Sequence, residues 1–247
     1  MSSMLNLKRR KRAKKNKLKN RKIIINLYFF TLPMNLPTRQ QCLGYFTEYK
    51  VPGNIFEHCL KVEEAASFLA KKLHEAGEDI NVELVERLAL LHDLFKVVVL
   101  DLTRPNPHFH YKYSSEETEM WKYLQEKYPD CYEGDVAYEI FKEDYPELAV
   151  SIKIVGLPKK KDKSYEEMLV HYADWRTLGN RVVPLSERLA YLKQTYPREA
   201  EDWHADEKIV FEFESRIMKV LNIPPEKLPQ MIKNQPKLSK IADIQNS

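Results

Sequence analysis

The chain is short of glycine, with six in 247 residues, and shows no repeat of fixed period. Solenoids, collagen-like helices and Gly-rich low-complexity segments are thereby excluded. Cysteine is scarce as well. Cys42, Cys59 and Cys131 stand singly with no CxxC pair, which argues against a disulfide framework or a thiolate zinc site and for a reducing compartment. The cytoplasm is the expected location. No apolar run approaches the roughly 20 residues that span a bilayer; the nearest is Ile23 to Leu32. Neither a Gly-rich phosphate loop nor a GxSxG turn occurs, so those routes to phosphate binding and nucleophilic catalysis are absent.

Positive charge is missing where a nucleic-acid binder would need it. The formal net charge of +4 arises because residues 1–22 hold eleven Lys or Arg and no acid, whereas residues 34–247 hold 29 basic against 36 acidic residues, a net −7. A basic stripe on the folded part is the footprint of nucleic-acid binding. Here nucleic acid is expected as a partner only through the N-terminal tail. That tail, residues 1–33, reads in three ways: a non-native or disordered extension, a basic arm, or a targeting segment. Thr31-Leu32-Pro33-Met34 offers no small-x-small cleavage site, and Met34 followed by "NLPTRQQCLGYF" looks like a chain start.

What is abundant is helix-forming Ala, Leu, Glu and Lys, and the expected class is all-α. Thr38 caps "RQQCLGYFTEY", which Pro52 and Gly53 terminate. Asn54 is expected to cap the helix "IFEHCLKVEEAASFLAKKLHEAG", ended by Gly77, and Asn81 to cap "VELVERLALLHDLFK". Capping boxes at Ser114 and Ser164 open two more helices, and Pro146 suits the first turn of "PELAVSIKIV". "SERLAYLKQTYP" and "DEKIVFEFESRIMKVL" complete the set. The expected divisions are residues 1–33 (extension), 34–222 (one helical domain) and 223–247 (polar tail). The segment from Val97 to Ser114, with His108 and His110, is the least regular part of the body.

Three of these helices carry metal-capable groups on their apolar stripes. His58 falls at the spacing of Val62, Ala65 and Leu69. His92 follows Val85 and Leu88, its neighbour Asp93 follows Ala89, and Asp174 lies between Val170 and Leu178. A buried carboxylate is costly without a partner or a cation. Two imidazoles and two carboxylates make a mixed N/O donor set suited to Mn, Fe, Co, Ni or Zn, with positions left for water or a phosphate oxygen.

In order and in flanking sequence, His58, the His92-Asp93 doublet and Asp174 resemble the H…HD…D signature of the HD-domain metal-dependent phosphohydrolase superfamily. "HCLKVEEAASFLAKKL", "LALLHDLFK" and "HYADWRTLGNRVVPLSERLAYLKQTYP" look like the three ligand helices of small prokaryotic HD proteins over about residues 34–200. The resemblance implies an HD-domain helical bundle in which one divalent ion (Mn, Fe, Co, Ni, Zn or Mg) activates water against a phosphoester, commonly that of a nucleotide. It implies His58, His92, Asp93 and Asp174 as ligands. Asp93 would also touch the attacking water, and Lys96, matching the Lys of HDxGK, would hold phosphate as a catalytic and substrate-binding cation. Arg176 is expected to do the same. Phe95 stands where that motif has Gly. The Glu that monophosphate- and alarmone-hydrolysing relatives carry near position 96 is absent. Ile154-Val155 replaces a Lys-His pair, so a single metal is expected, with His110 a candidate neighbour. His171 is expected to pack or orient, and His74 and His204 to lie on the surface. The alternative is a catalytically weak nucleotide-binding or regulatory module on the same scaffold.

Overall fold

A computed structural model describes residues 34–101, 113–196 and 198–235 of the chain. The expectations that fall on residues 1–33, on His108 and His110, and on residues 236–247 lie outside the described residues. All the elements below fall within Leu36–Ser247.

Local sequence sets most helix starts. Helix α1 (Arg39–Glu48) begins at a capping box in which Thr38 accepts from the Gln41 amide while Gln41 answers to the Thr38 backbone. Helix α2 (Gly53–Glu75) starts two residues earlier than expected. Its N-cap is Pro52, which makes no side-chain bond, and Asn54 lies inside the first turn with its Oδ1 buried and unpartnered among the described residues. The predicted Asn54 cap is thus corrected: proline at position 52 fixes φ and starts the turn before asparagine can cap it. Gly77, at φ +95°, closes the helix as expected. Helix α3 (Val82–Leu91) is capped by Asn81, α4 (Ser115–Lys127) by Ser114, and α7 (Tyr165–Trp175) by Ser164. Helices α5 (Glu133–Phe141) and α6 (Pro146–Val155) intervene. The chain then makes a two-residue antiparallel hairpin, β1 (Thr177–Leu178) with β2 (Arg181–Val182), turning at Gly179. Helices α8 (Leu185–Thr195), α9 (Ala200–Leu221) and α10 (Leu228–Lys233) follow.

The core is the packing of α2 against α3 and α7, with α6 laid across α3 and α7 and α9 against α7. Cys59, Val62, Ala66, Leu69 and Leu73 of α2 are fully buried, as are Leu88 and Leu91 of α3 and Leu169 and Val170 of α7. Small residues on α2, Ala65, Ala66 and Ala70, let the helices approach closely. The architecture is an all-α helical bundle, and the short hairpin is the only sheet among the described residues. Among those residues no helix is long and apolar enough to cross a membrane.

Two expectations about extent change. The third predicted helix stops at Leu91 rather than running through Lys96. His92 is its C-cap, Asp93 to Phe95 follow in turns, and Lys96–Val99 form a 3₁₀ turn. The expected polar tail is folded over residues 225–233: α10 buries Leu228 and Ile232 against β2 and α2. Two apolar residues four apart are enough for a single-turn amphipathic anchor.

Candidate metal centre

Each predicted ligand reaches the site by a different local device. His58 projects inward from the first turns of α2 and is mostly buried. His92 sits where α3 unwinds, and its Nδ1–H donates to the Ala89 carbonyl at 2.7 Å. That bond fixes the tautomer and leaves Nε2 facing the site. Metal-binding imidazoles are commonly oriented this way. Asp174 comes from the last turn of α7, with its Oδ1 3.0 Å from His58 Nε2 and 4.0 Å from His92 Nε2. Asp93 Oδ2 lies 3.8 Å from His92 Nε2. Donor atoms of His58, His92 and Asp93 all fall within 4.8 Å of one another, positioned to hold a metal ion. The His58 and His92 rings are 5.5 Å apart. Three of the four predicted residues thus form one group able to hold an ion, and Asp174 lies against His58 and His92 beside it.

Electrostatics support a cation here. Burial opposes charge on His92, yet Asp93, Cys59 and Asp174 outweigh it and push the imidazole up to about 9. Burial likewise opposes ionisation of both carboxylates. For Asp93 it is overcome by Lys96 and His92, and for Asp174 by the hydrogen bond and charge of His58, so both stay below the usual range. His92 Nε2 is buried and has no hydrogen-bond partner among the described residues. An orphaned imidazole nitrogen beside two ionised carboxylates is a polar group awaiting a ligand. A divalent ion fits this N/O set.

The centre opens into a cavity of about 200 Å³ whose walls include Lys96, Glu133, His171, Trp175, Arg198 and Asp206. Lys96 lines it as expected, but its Nζ donates to Glu133 Oε1 at 2.6 Å and lies 3.5 Å from Asp93 Oδ1. Burial works against its charge, and Asp93 and Glu133 more than compensate, raising its pKa. Phe95 does not crowd the centre. It is buried in the core, 4.8 Å from the Tyr49 ring and 6.2 Å from that of Phe141.

Arg176 requires a correction. Its side chain is 1% exposed, donates to Val183 O, Pro225 O and the Tyr172 hydroxyl, and pairs with Glu214 at 2.6 Å. As the C-cap of α7, two residues past Asp174, Arg176 directs its side chain to the hairpin and α9. It ties the hairpin to α9 and is not a phosphate ligand. His171 is buried with its ring against Trp175 and Phe213, and burial pushes it down to about 3, a neutral packing residue. His74 and His204 are exposed.

Three cavity residues escaped the sequence reading. Glu133 opens α5, where an acid looks like ordinary complement to the helix dipole. Arg198 and Asp206 sit beside and within α9, and only the fold returns that helix to the ligand cluster.

Residues 55–177 match the family described as HD domain. No curated protein and no solved structure matches the chain. By this match and its helical fold the chain belongs to the HD-domain superfamily, whose members are in general metal-dependent phosphohydrolases, many of them non-catalytic. All four candidate ligands lie inside the matched stretch. Arg198 and Asp206 lie outside it.

Proposed function

We propose that the chain is a metal-dependent phosphohydrolase that cleaves the phosphate ester of a nucleotide or another small phosphoester. The observation that carries this reading is the unpartnered Nε2 of His92, oriented by Ala89 and surrounded by His58, Asp93 and Asp174. One divalent ion, Mn, Fe, Co, Ni, Zn or Mg, would be held by these four side chains. When bound, it lowers the pKa of water and neutralises phosphate charge. Asp93 has one oxygen toward the donor cluster and one toward Lys96, and serves to accept the proton of the attacking water. Lys96 balances the charge of the phosphate as a point charge. His171 and Trp175 shield the reacting group from bulk water. A cavity of about 200 Å³ suits the phosphoryl end of a small substrate rather than a whole large one. The cytoplasm and a small phosphorylated partner belong to the same reading.

A specific observation favours a second reading. Lys96 is held between Asp93 and Glu133, and Arg176 is committed elsewhere, which fits a nucleotide-binding or regulatory module with weak turnover. Phosphate release across a panel of nucleotides and phosphoesters, with added Mn and with or without chelator, separates the two. Release that requires both the metal and Asp93, and so is lost in Asp93→Ala, is the expected result. A folded, Mn-loaded chain that releases nothing would leave only the binding module.

A further inference from the structure

We infer that Arg198 is the substrate's anion-binding residue, forming with Asp206 and Trp203 a phosphate subsite in the same cavity as the metal ligands. The inference rests on the phosphohydrolase reading and supplies what that reading lacks. With Arg176 turned into the hairpin and Lys96 held by two carboxylates, the site needs another cation for a phosphoryl group. Arg198 lines the cavity together with His92, Asp93 and Asp174.

Its guanidinium is preorganised on two sides. One terminal nitrogen donates to Asp206 Oδ2 at 2.7 Å, and the guanidinium carbon lies over the Trp203 ring, 4.0 Å from its centroid. A guanidinium has five donors in a rigid fork that matches phosphate oxygens in pairs. Clamping it at one edge and one face leaves little rotamer freedom to lose when an anion arrives. Asp206 is itself 1% exposed and lines the cavity, and its Oδ1 has no hydrogen-bond partner among the described residues. A buried carboxylate bonded through one oxygen is a costly device for holding an arginine that served only as surface charge. Asp206 is a positioning residue, acting through Arg198. The ligand class is a phosphate monoester or the inorganic phosphate left after cleavage, with a non-bridging oxygen on Arg198.

The test titrates inorganic phosphate into the full-length, Mn-loaded chain by calorimetry. Mn uptake is read separately from the loss of the free-Mn electron paramagnetic resonance signal. Arg198→Gln is expected to weaken phosphate binding about tenfold or more, with Mn affinity unchanged, and Arg198→Lys to recover part of the loss because it keeps charge without the fork. Should Arg198→Gln unfold through the stranded Asp206, the double variant R198Q/D206N removes both charges together and is expected to show the same loss. Equal phosphate affinity in wild type and the folded Arg198 variants overturns the inference, as does a Mn-loaded wild type that binds no phosphate. A chain that takes up no Mn refutes the metal reading. Normal Mn uptake with phosphate binding indifferent to Arg198 refutes the subsite alone.

Discussion

Arg176 and His92 show how one or two residues of chain direction decide a role. Both are polar C-cap residues within two positions of a predicted aspartate ligand, and both were legible as site candidates from the sequence. His92 keeps facing the site because its Nδ1 is anchored on its own helix at Ala89. Arg176, likewise a C-cap, is anchored elsewhere, on Glu214, Val183 and Pro225. No periodicity shows that difference, which depends on partners that only the fold brings to Arg176. Arg176→Ala strands Glu214 in a mostly buried position, so it is expected to cost about 3 kcal/mol or more in urea unfolding. Mn uptake should stay normal in whatever fraction remains folded. His171 gives a pH prediction. Its folded value of about 3 lies below the ordinary 6.5, with burial first, then Lys163 and His92, opposing its charge, and Asp174 only partly favouring it. A depressed value means that the unfolded chain binds the proton first. The histidine's contribution is therefore complete above about pH 6.5 and is lost as pH falls toward 3. At pH 5 this amounts to about 2 kcal/mol. His171→Leu should flatten the dependence of unfolding free energy on pH between 6.5 and 5. A slope identical to wild type would contradict the assignment.

At the scale of elements, starts were more legible than stops. The caps at Thr38, Asn81, Ser114 and Ser164 are written in side chains that hydrogen-bond their own backbone, so local sequence suffices to find them. Replacing Ser164 by Ala removes the acceptor for the Glu167 amide and is expected to cost about 1 kcal/mol. The cost falls on the helix that carries Asp174. The stop at Leu91 depends on tertiary packing of Leu94 and Phe95, both buried, which pulls the chain out of its helical path. Glu133 was illegible for a related reason: its partner Lys96 is 37 residues away. Its neighbour Gly134 shows how tightly the element is placed, since a Cβ there would lie 3.1 Å from the Lys153 Cα. Gly134→Ala is expected to push α5 off α6 and destabilise the fold by about 1–3 kcal/mol. Because Glu133 moves with α5, the Lys96 contact should loosen too, measurable as a changed Lys96 ammonium resonance.

For the whole molecule, the class, the helical order and the four-residue cluster were readable because apolar stripes and ligand types coincide on the same helices. The C-terminal closure was not, because α10 is a single turn whose Leu228 and Ile232 carry too little pattern to stand out from a polar surround. Ending the chain at residue 222 should remove both from the core and Pro225 from Arg176. From the burial of two such side chains the expected loss is about 3–6 kcal/mol, seen as a lowered denaturant midpoint. The cavity joins two stretches of chain. The donor cluster is complete by Asp174, within the part that matches a family, whereas Arg198 and Asp206 come from sequence beyond it. Substitutions in the later wall can therefore reshape the pocket without touching a predicted metal ligand.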